Sequence, residues 1–107
     1  MNESYIYTFI RRDITPEQRI VQIGHACYEA GKRFKEPDQI SNLVLLDAKN
    51  ETDLKDIARK LDARGIDFYI FHEPDDDMGH SAICTRPITD HRERAIFRKW
   101  DLFKHAD

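Results

Sequence analysis

Apolar residues along the chain alternate between strand-like and helix-like segments. Short runs rich in aromatic and β-branched residues, or continuously apolar, predict buried strands, and apolar residues recurring every three to four positions predict helices. Strands are predicted at Tyr5–Ile10, Asn42–Ala48, Ile66–Phe71 and Ser81–Thr85. Helices are predicted over 16–35, 51–64 and from Thr89 or Asp90 onward.

Capping residues mark the ends of these predicted helices. Thr15, Pro16 and Gln18 predict a capping box with proline at the first helical position, Pro37 blocks continuation, and Gly65 suits a left-handed C-cap. The apolar stripe of the first helix is predicted to comprise Ile20, Val21, Gly24, Cys27, Tyr28, Gly31 and Phe34. That of the last helix is predicted to comprise Ala95, Ile96, Trp100 and Phe103.

The element order β-α-β-α-β-β-α predicts an α/β fold, a three-layer α/β/α sandwich around a sheet of about four strands. A length of 107 residues suits one hydrophobic core and hence a single domain over 1–107. In such sheets, ligands bind beyond the strand ends and at helix N-termini. The loop after the first strand and the acidic turn at 74–79 are therefore the places where a site is expected.

The net charge, the cysteine content and the lack of a long apolar run indicate which partners and which cellular compartment to expect. A net charge of −3 provides no global attraction for nucleic acid, so such a partner would need a local basic patch. Cys27 and Cys84 match neither a disulfide framework nor a zinc pattern, and buried free thiols in a reducing compartment are expected. The start, 1–4, contains an acid where a secretory signal needs positive charge, and no apolar run approaches the ~18 residues of a membrane span. The sequence predicts a cytoplasmic protein with no membrane partner.

A polar stripe on the first helix is the first candidate for chemistry. Gln18, Gln22, His25 and Glu29 follow one another at i, i+4, i+7 and i+11 and share one helix face. On composition alone, a solvated helix face is the more common explanation of such a pattern. Small residues on either side of His25 leave its imidazole approachable, as a ligand-binding group requires.

A second cluster lies at 72–81, where carboxylates, imidazoles and a hydroxyl follow a predicted strand. A carboxylate there can orient or deprotonate a water, and a hydroxyl can hold a substrate. His72, Asp75, Asp77 and His80 also allow a metal-dependent hydrolase, although neither a calcium-loop spacing nor a histidine pair at i and i+4 is present. A solvated acidic turn is the simple alternative.

Basic residues form a third candidate, a patch that could hold phosphates. It comprises Arg11, Arg12, Arg86, Arg92, Arg94, Arg98 and Lys99. Because Asp90, Glu93 and Asp101 interrupt it, an ordinary salt-bridged surface is at least as well supported.

The stretch Gln22-Ile23-Gly24-His25-Ala26 resembles the Gln-x-x-His-Ala signature of the second, archaeal and eukaryotic, class of peptidyl-tRNA hydrolases. Arg64-Gly65-Ile66, an Asp-x-Gly-x-Thr-like turn at Asp77–Ser81, and Pro87 before a final helix resemble the later course of that family. The resemblance covers nearly the whole chain and depends on the joint order and spacing of these motifs.

The resemblance implies a mixed four-stranded sheet between helical layers and hydrolysis of the ester between peptide and tRNA, without a metal or other cofactor. Carried over by position, Gln22 and His25 would face the tRNA end or the ester, and Asp77 would orient the attacking water. Ser81 would supply the hydroxyl of the family's threonine. Peptidyl-tRNA is the implied partner, and a homodimer is one oligomeric state that the sequence leaves open.

Two departures from the family leave a second function open. Gln18 occupies the position of the family's lysine and lacks the charge that stabilises an oxyanion, while Arg19 points about 100° away on an ideal helix. A family loop with a further threonine is missing after Ser81. Gln18, Arg19, Arg12 and Arg86 are the candidate substrate-binding residues, with Arg86 expected to replace the missing charge. The alternative is a non-catalytic protein of the same fold that binds tRNA, a nucleotide or a protein.

Overall fold

The computed structural model describes residues 3–104. The predicted domain, 1–107, includes residues 1–2 and 105–107, which lie outside the described residues. The strands are β1 (Tyr5–Arg11), β2 (Asn42–Ala48), β3 (Phe68–Glu73) and β4 (Gly79–Thr85). The α-helices are α1 (Pro16–Arg33), α2 (Glu51–Ala63) and α3 (His91–Ile96). Short 3-10 turns span Asp75–Asp77 and Phe97–Lys99.

The four strands form one mixed sheet in the order β2-β1-β4-β3. β1 and β2 are parallel, with Tyr5 opposite Asn42 and Arg11 opposite Ala48. β4 runs antiparallel to both β1 and β3. The C-terminal ends of β1, β2 and β3 therefore share one edge of the sheet with the N-terminal end of β4, and this edge is called the upper edge below.

Helices cover both faces of the sheet, which confirms the predicted three-layer sandwich. Phe9 and Ile10 point to opposite faces because successive strand residues alternate. Beneath α1, the buried core comprises Ile10, Ala26, Ala30, Ala82 and Cys84. On the α2 face it comprises Tyr7, Phe9, Leu46, Ala48, Leu54, Ile57, Leu61, Ile66, Ile83, Ile88 and Phe97. None of the helices within residues 3–104 is long and apolar enough to span a membrane.

α1 begins as predicted but presents a different face to the sheet. The Thr15 hydroxyl accepts from the Gln18 backbone N–H at 3.2 Å, and Gln18 Oε1 accepts from the Thr15 backbone N–H at 2.9 Å. The predicted apolar stripe is wrong at Ile20, Val21 and Tyr28, which are 72%, 52% and 69% exposed. The residues of α1 that are buried are Arg19, Gln22, Ala26 and Ala30. Small alanine side chains allow the helix to lie close against the sheet.

The C-terminal helix is shorter than predicted. Asp90 caps it by accepting from the Arg92 backbone N–H at 2.7 Å, and α3 ends at Ile96. Trp100 and Phe103 lie beyond it rather than on its apolar side. The Phe103 backbone N–H donates to the carbonyl of Leu45 at 3.0 Å, so the tail runs beside β2 and adds strand-like pairing to the edge of the sheet.

Candidate functional site

Gln22 and Ser81, 59 residues apart in the chain, meet at the upper edge of the sheet. Ser81 Oγ donates to Gln22 Oε1 at 2.5 Å, and Gln22 Nε2 donates to Glu73 Oε1 at 2.8 Å. A carboxylate only accepts hydrogen bonds, so the amide nitrogen of Gln22 must face Glu73 and its oxygen must face Ser81. The result is a hydroxyl–amide–carboxylate chain that links β4, α1 and β3.

A β-bulge brings the Ser81 hydroxyl to α1. Ala82 packs beneath α1, so strict alternation along β4 would turn Ser81 toward α2. Phe71 pairs with Ala82, but His72 pairs with His80, which leaves Ser81 as the additional residue of β4. A bulge re-aims the side chain at such a position, and here the re-aimed hydroxyl reaches Gln22.

Glu73 borders an acidic cleft of about 240 Å³ between the first turns of α1 and the turn after β3. The cleft is lined by Glu17, Gln18, Val21, Gln22, Glu73, Asp75, Asp76 and Met78. The hydrogen bond from Gln22 lowers the pKa of Glu73 below its ordinary value, with smaller contributions from the Asp75 backbone N–H and from the charges of His25 and His72. A carboxylate that is ionised and held in this way can orient or deprotonate a water.

Asp77 lies on the turn beside this cleft and is exposed, but it is not one of the lining residues, whereas its neighbours Asp75, Asp76 and Met78 are. Asp76 and Asp77 have φ values of 58° and 51°, in the left-handed region that aspartate tolerates better than most residues. The buried Arg11 supports the turn by donating from Nη1 to the carbonyls of Met78 at 2.6 Å and His80 at 3.0 Å. The turn therefore has a defined shape.

His25 is exposed on α1, one turn after Gln22. Its ring stacks on that of Phe71, with centroids 4.4 Å apart and an angle of 3° between the planes. It stands outside the residues that line the cleft, at a position where an incoming ligand could contact it.

Three of the predicted substrate-binding residues organise the loop between β1 and α1. Gln18 lines the cleft, but its side-chain oxygen is part of the capping box. Arg19 is buried, donates to the Arg12 carbonyl at 3.3 Å and lies over the ring of Phe103. Arg12 forms an ion pair with Asp47 at 3.3 Å. Both guanidinium groups thus contact the protein's own residues.

Arg86 lies at the opposite end of the sheet from Ser81, which argues against the prediction that it replaces the missing lysine charge. It follows the last residue of β4, and the five residues from Ser81 span about 17 Å of strand. Its guanidinium contacts Glu93 through two hydrogen bonds of 3.2 and 2.8 Å. It cannot replace the missing lysine charge from that position.

The imidazoles of the acidic turn do not gather a metal-ligand set. His80 Nδ1 lies 3.2 Å from Glu51 Oε2, which also accepts the His80 backbone N–H at 2.8 Å. The rings of His72 and His80 meet edge to face at 4.9 Å. Over residues 3–104, no three His, Cys, Asp or Glu side chains converge as metal ligands would. The metal-dependent alternative therefore has no geometric support here.

Two residues of the site entered the sequence analysis only within larger groups, Glu73 in the cluster at 72–81 and Arg11 in the basic patch, and neither was assigned the role that it has here. Glu73 is two positions after Phe71, which packs beneath α1, so strand alternation could have placed its carboxylate on the same face. In the sequence Arg11 only marks the end of a predicted strand, and no neighbouring residue indicates that its guanidinium is buried beneath the turn at 74–79.

No family model and no curated protein matches the chain. A solved structure of a protein of unknown function from Agrobacterium tumefaciens strain C58 is similar to it, with 15% sequence identity and a TM-score of 0.63. The match covers 97% of this chain and 100% of the other. At 15% identity, the similarity shows a shared fold over almost the entire chain but gives no information about activity.

Proposed function

We propose that the acidic cleft hydrolyses an ester of the peptidyl-tRNA type. The hydrogen bond between Gln22 and Ser81 carries this proposal, because it joins the two segments on which the resemblance to peptidyl-tRNA hydrolases rests. Those segments are far apart in sequence, and a chance likeness would not require them to touch.

Glu73 is the carboxylate best placed to act on water. Gln22 holds one of its oxygens, and it lines the cleft. In the proposed step, the water oxygen attacks the ester carbonyl carbon while the carboxylate takes a proton from the water. The carboxylic acid then gives that proton to the ribose oxygen as the C–O ester bond breaks, so the ribose leaves as its hydroxyl and the peptide leaves as its carboxylic acid. Ser81 is fully buried and acts as a positioning residue for Gln22, while His25 is available to the RNA end.

A second candidate function, protein binding without catalysis, is favoured by the electrostatics of the cleft. None of its lining residues in the described part of the chain is Lys or Arg, whereas Glu17, Glu73, Asp75 and Asp76 are acidic. Such a cleft repels phosphates and offers no cation to a developing oxyanion. A cationic protein segment fits this surface better than tRNA does.

Single-turnover cleavage of peptidyl-tRNA tests the first candidate directly. We expect Glu73→Gln to lower the rate by about 10²-fold or more, as loss of a general base does. The matched control is Asp62→Asn, a charge removal on the exposed surface of α2. Asp77→Asn tests Asp77, the carboxylate implied by the resemblance, separately from Glu73, the carboxylate indicated by the cleft. Intact substrate at high concentrations of folded wild-type protein would leave binding as the function.

Gln18→Lys tests whether the missing ammonium limits the rate. Lysine cannot accept the Thr15 backbone N–H, so the substitution breaks half of the capping box. Gln18→Met breaks the same hydrogen bond without adding charge and is the matched control. Faster cleavage by Gln18→Lys alone would show that charge is the limiting factor, and equal rates for both variants would exclude it.

A further inference from the structure

A second cavity, of about 480 Å³, opens beside the C-terminal half of α1. It shares no lining residue with the acidic cleft. Its apolar walls include Ile6, Ala30, Phe34, Pro37, Ile40 and Leu43. This volume is within the range of small-molecule sites, which are mostly apolar and contain a few polar groups.

Two thiols and a hydroxyl meet at this cavity. Cys27 and Cys84 both line it, and Thr8 Oγ1 lies 3.5 Å from Cys27 Sγ and 3.7 Å from Cys84 Sγ. Cys84 is buried, whereas Cys27 is partly exposed, so Cys27 is the thiol that a ligand can reach. Cys27 and Cys84 come from α1 and β4, so the fold itself creates this cluster.

The contacts of Cys27 favour its thiolate form. Interaction with the neighbouring Cys84 thiol and, less strongly, with the Thr8 hydroxyl lowers the pKa of Cys27 to about 6 against the opposing effect of burial. The same interaction and burial raise the pKa of Cys84. Because the thiolate is the nucleophilic form of cysteine, Cys27 is the activated member of the pair, while Cys84 stays protonated and donates to the Thr85 carbonyl at 3.7 Å.

We propose that this cavity is a covalent ligand site in which Cys27 adds to small apolar molecules that carry an α,β-unsaturated carbonyl group. The sulfur electron pair forms a bond to the β-carbon, and the alkene electrons move to the carbonyl oxygen as an enolate. The enolate then takes one proton from water. No group leaves and no oxidant is needed. The apolar walls select the body of the ligand, and the thiolate selects its electrophilic end.

Two maleimides that differ only in their nitrogen substituent test this site in the full chain. N-cyclohexylmaleimide is apolar and N-(2-carboxyethyl)maleimide is charged. Rates for each cysteine are measured by intact-mass and peptide mass spectrometry in buffer and in urea, where the unfolded chain reports intrinsic reactivity. In the folded protein we expect Cys27 to react first. The ratio of the Cys27 rate with the apolar reagent to its rate with the charged reagent should be about tenfold higher in buffer than in urea. Burying roughly 60 Å² of apolar surface has an effect of this size.

Variants separate the cavity from simple exposure of a thiol. Leu43→Asp places a charge on the cavity wall at an exposed position and should remove the preference for the apolar reagent. Ile20→Asp is the matched control, since it adds the same charge to the exposed face of α1 outside the cavity. Cys84→Ala should move the pH midpoint of Cys27 alkylation upward, because it removes the side chain that lowers the pKa of Cys27 most.

Three results would overturn the proposal. They are a reagent ratio equal to that in urea, preferential labelling of Cys84, and an unchanged preference in Leu43→Asp. Because these measurements use neither tRNA nor ester cleavage, they stand or fall separately from the proposed hydrolase activity.

Discussion

Ser81→Ala is the sharpest test of the buried chain that links Ser81, Gln22 and Glu73. The substitution removes one hydroxyl from a side chain that is fully buried and leaves the oxygen of Gln22, itself only 2% exposed, without its donor. Leaving a buried acceptor unsatisfied costs about 1–3 kcal/mol. This is a large part of the ~5–15 kcal/mol that separates the folded and unfolded states of a typical domain.

Urea unfolding followed by circular dichroism measures the expected loss. Thr89→Val is the control: it also removes one hydroxyl, but Thr89 is exposed, so water takes the place of the lost group. We expect this control to change the free energy of unfolding by about 0.5 kcal/mol or less.

A double-mutant cycle completes the test. Gln22→Leu in the Ser81→Ala background removes both members of the pair, so the combined loss should be smaller than the sum of the two single losses by about 0.5–3 kcal/mol. Strict additivity, or a Ser81→Ala loss no larger than that of the Thr89 control, would refute the chain as a stabilising unit.

Three further predictions concern the turn and the outer face of α1. Gly79→Ala should lower the thermal midpoint more than Gly65→Ala. Both glycines have φ near 70°, but a Cβ at Gly79 would push the Glu51 carboxylate away from the His80 backbone N–H that it accepts, while a Cβ at Gly65 meets open space. Equal losses would contradict this. The hydrogen bond from the His80 backbone N–H lowers the pKa of Glu51 in the folded protein below its ordinary value of 4.5. This contact therefore stabilises the fold fully at pH values above 4.5, and the stabilisation is lost as the pH falls through the pKa of Glu51 in the folded protein. Glu51→Gln should flatten the acid limb of a stability–pH profile, and a slope like that of wild type would exclude the contact. Ile20→Ser should change the urea-derived free energy of unfolding by less than about 0.5 kcal/mol, because the side chain is solvated, and a core-sized loss would contradict its exposure.

Local signals account for much of the fold. The capping box at Thr15 and Gln18 is present as predicted, because both of its hydrogen bonds join residues three positions apart. The order of strands and helices was predictable for the same reason, because apolar runs and apolar residues at helical spacing are also patterns among residues a few positions apart. The prediction for the last helix was wrong because local spacing does not report contacts with distant segments. Phe103 lies at helical spacing from Trp100, yet its backbone pairs with β2.

The sequence alone determined the elements, their order and the two segments that resemble a hydrolase, since each depends on residues within a few positions. Only the tertiary structure decided that α1 presents Gln22 and exposes Ile20, because the rotation of a helix depends on the surface it covers. The same holds for Ser81, whose hydroxyl reaches Gln22 through a bulge set by the register between β3 and β4. The acidic cleft and the activated Cys27 likewise exist only where distant segments meet.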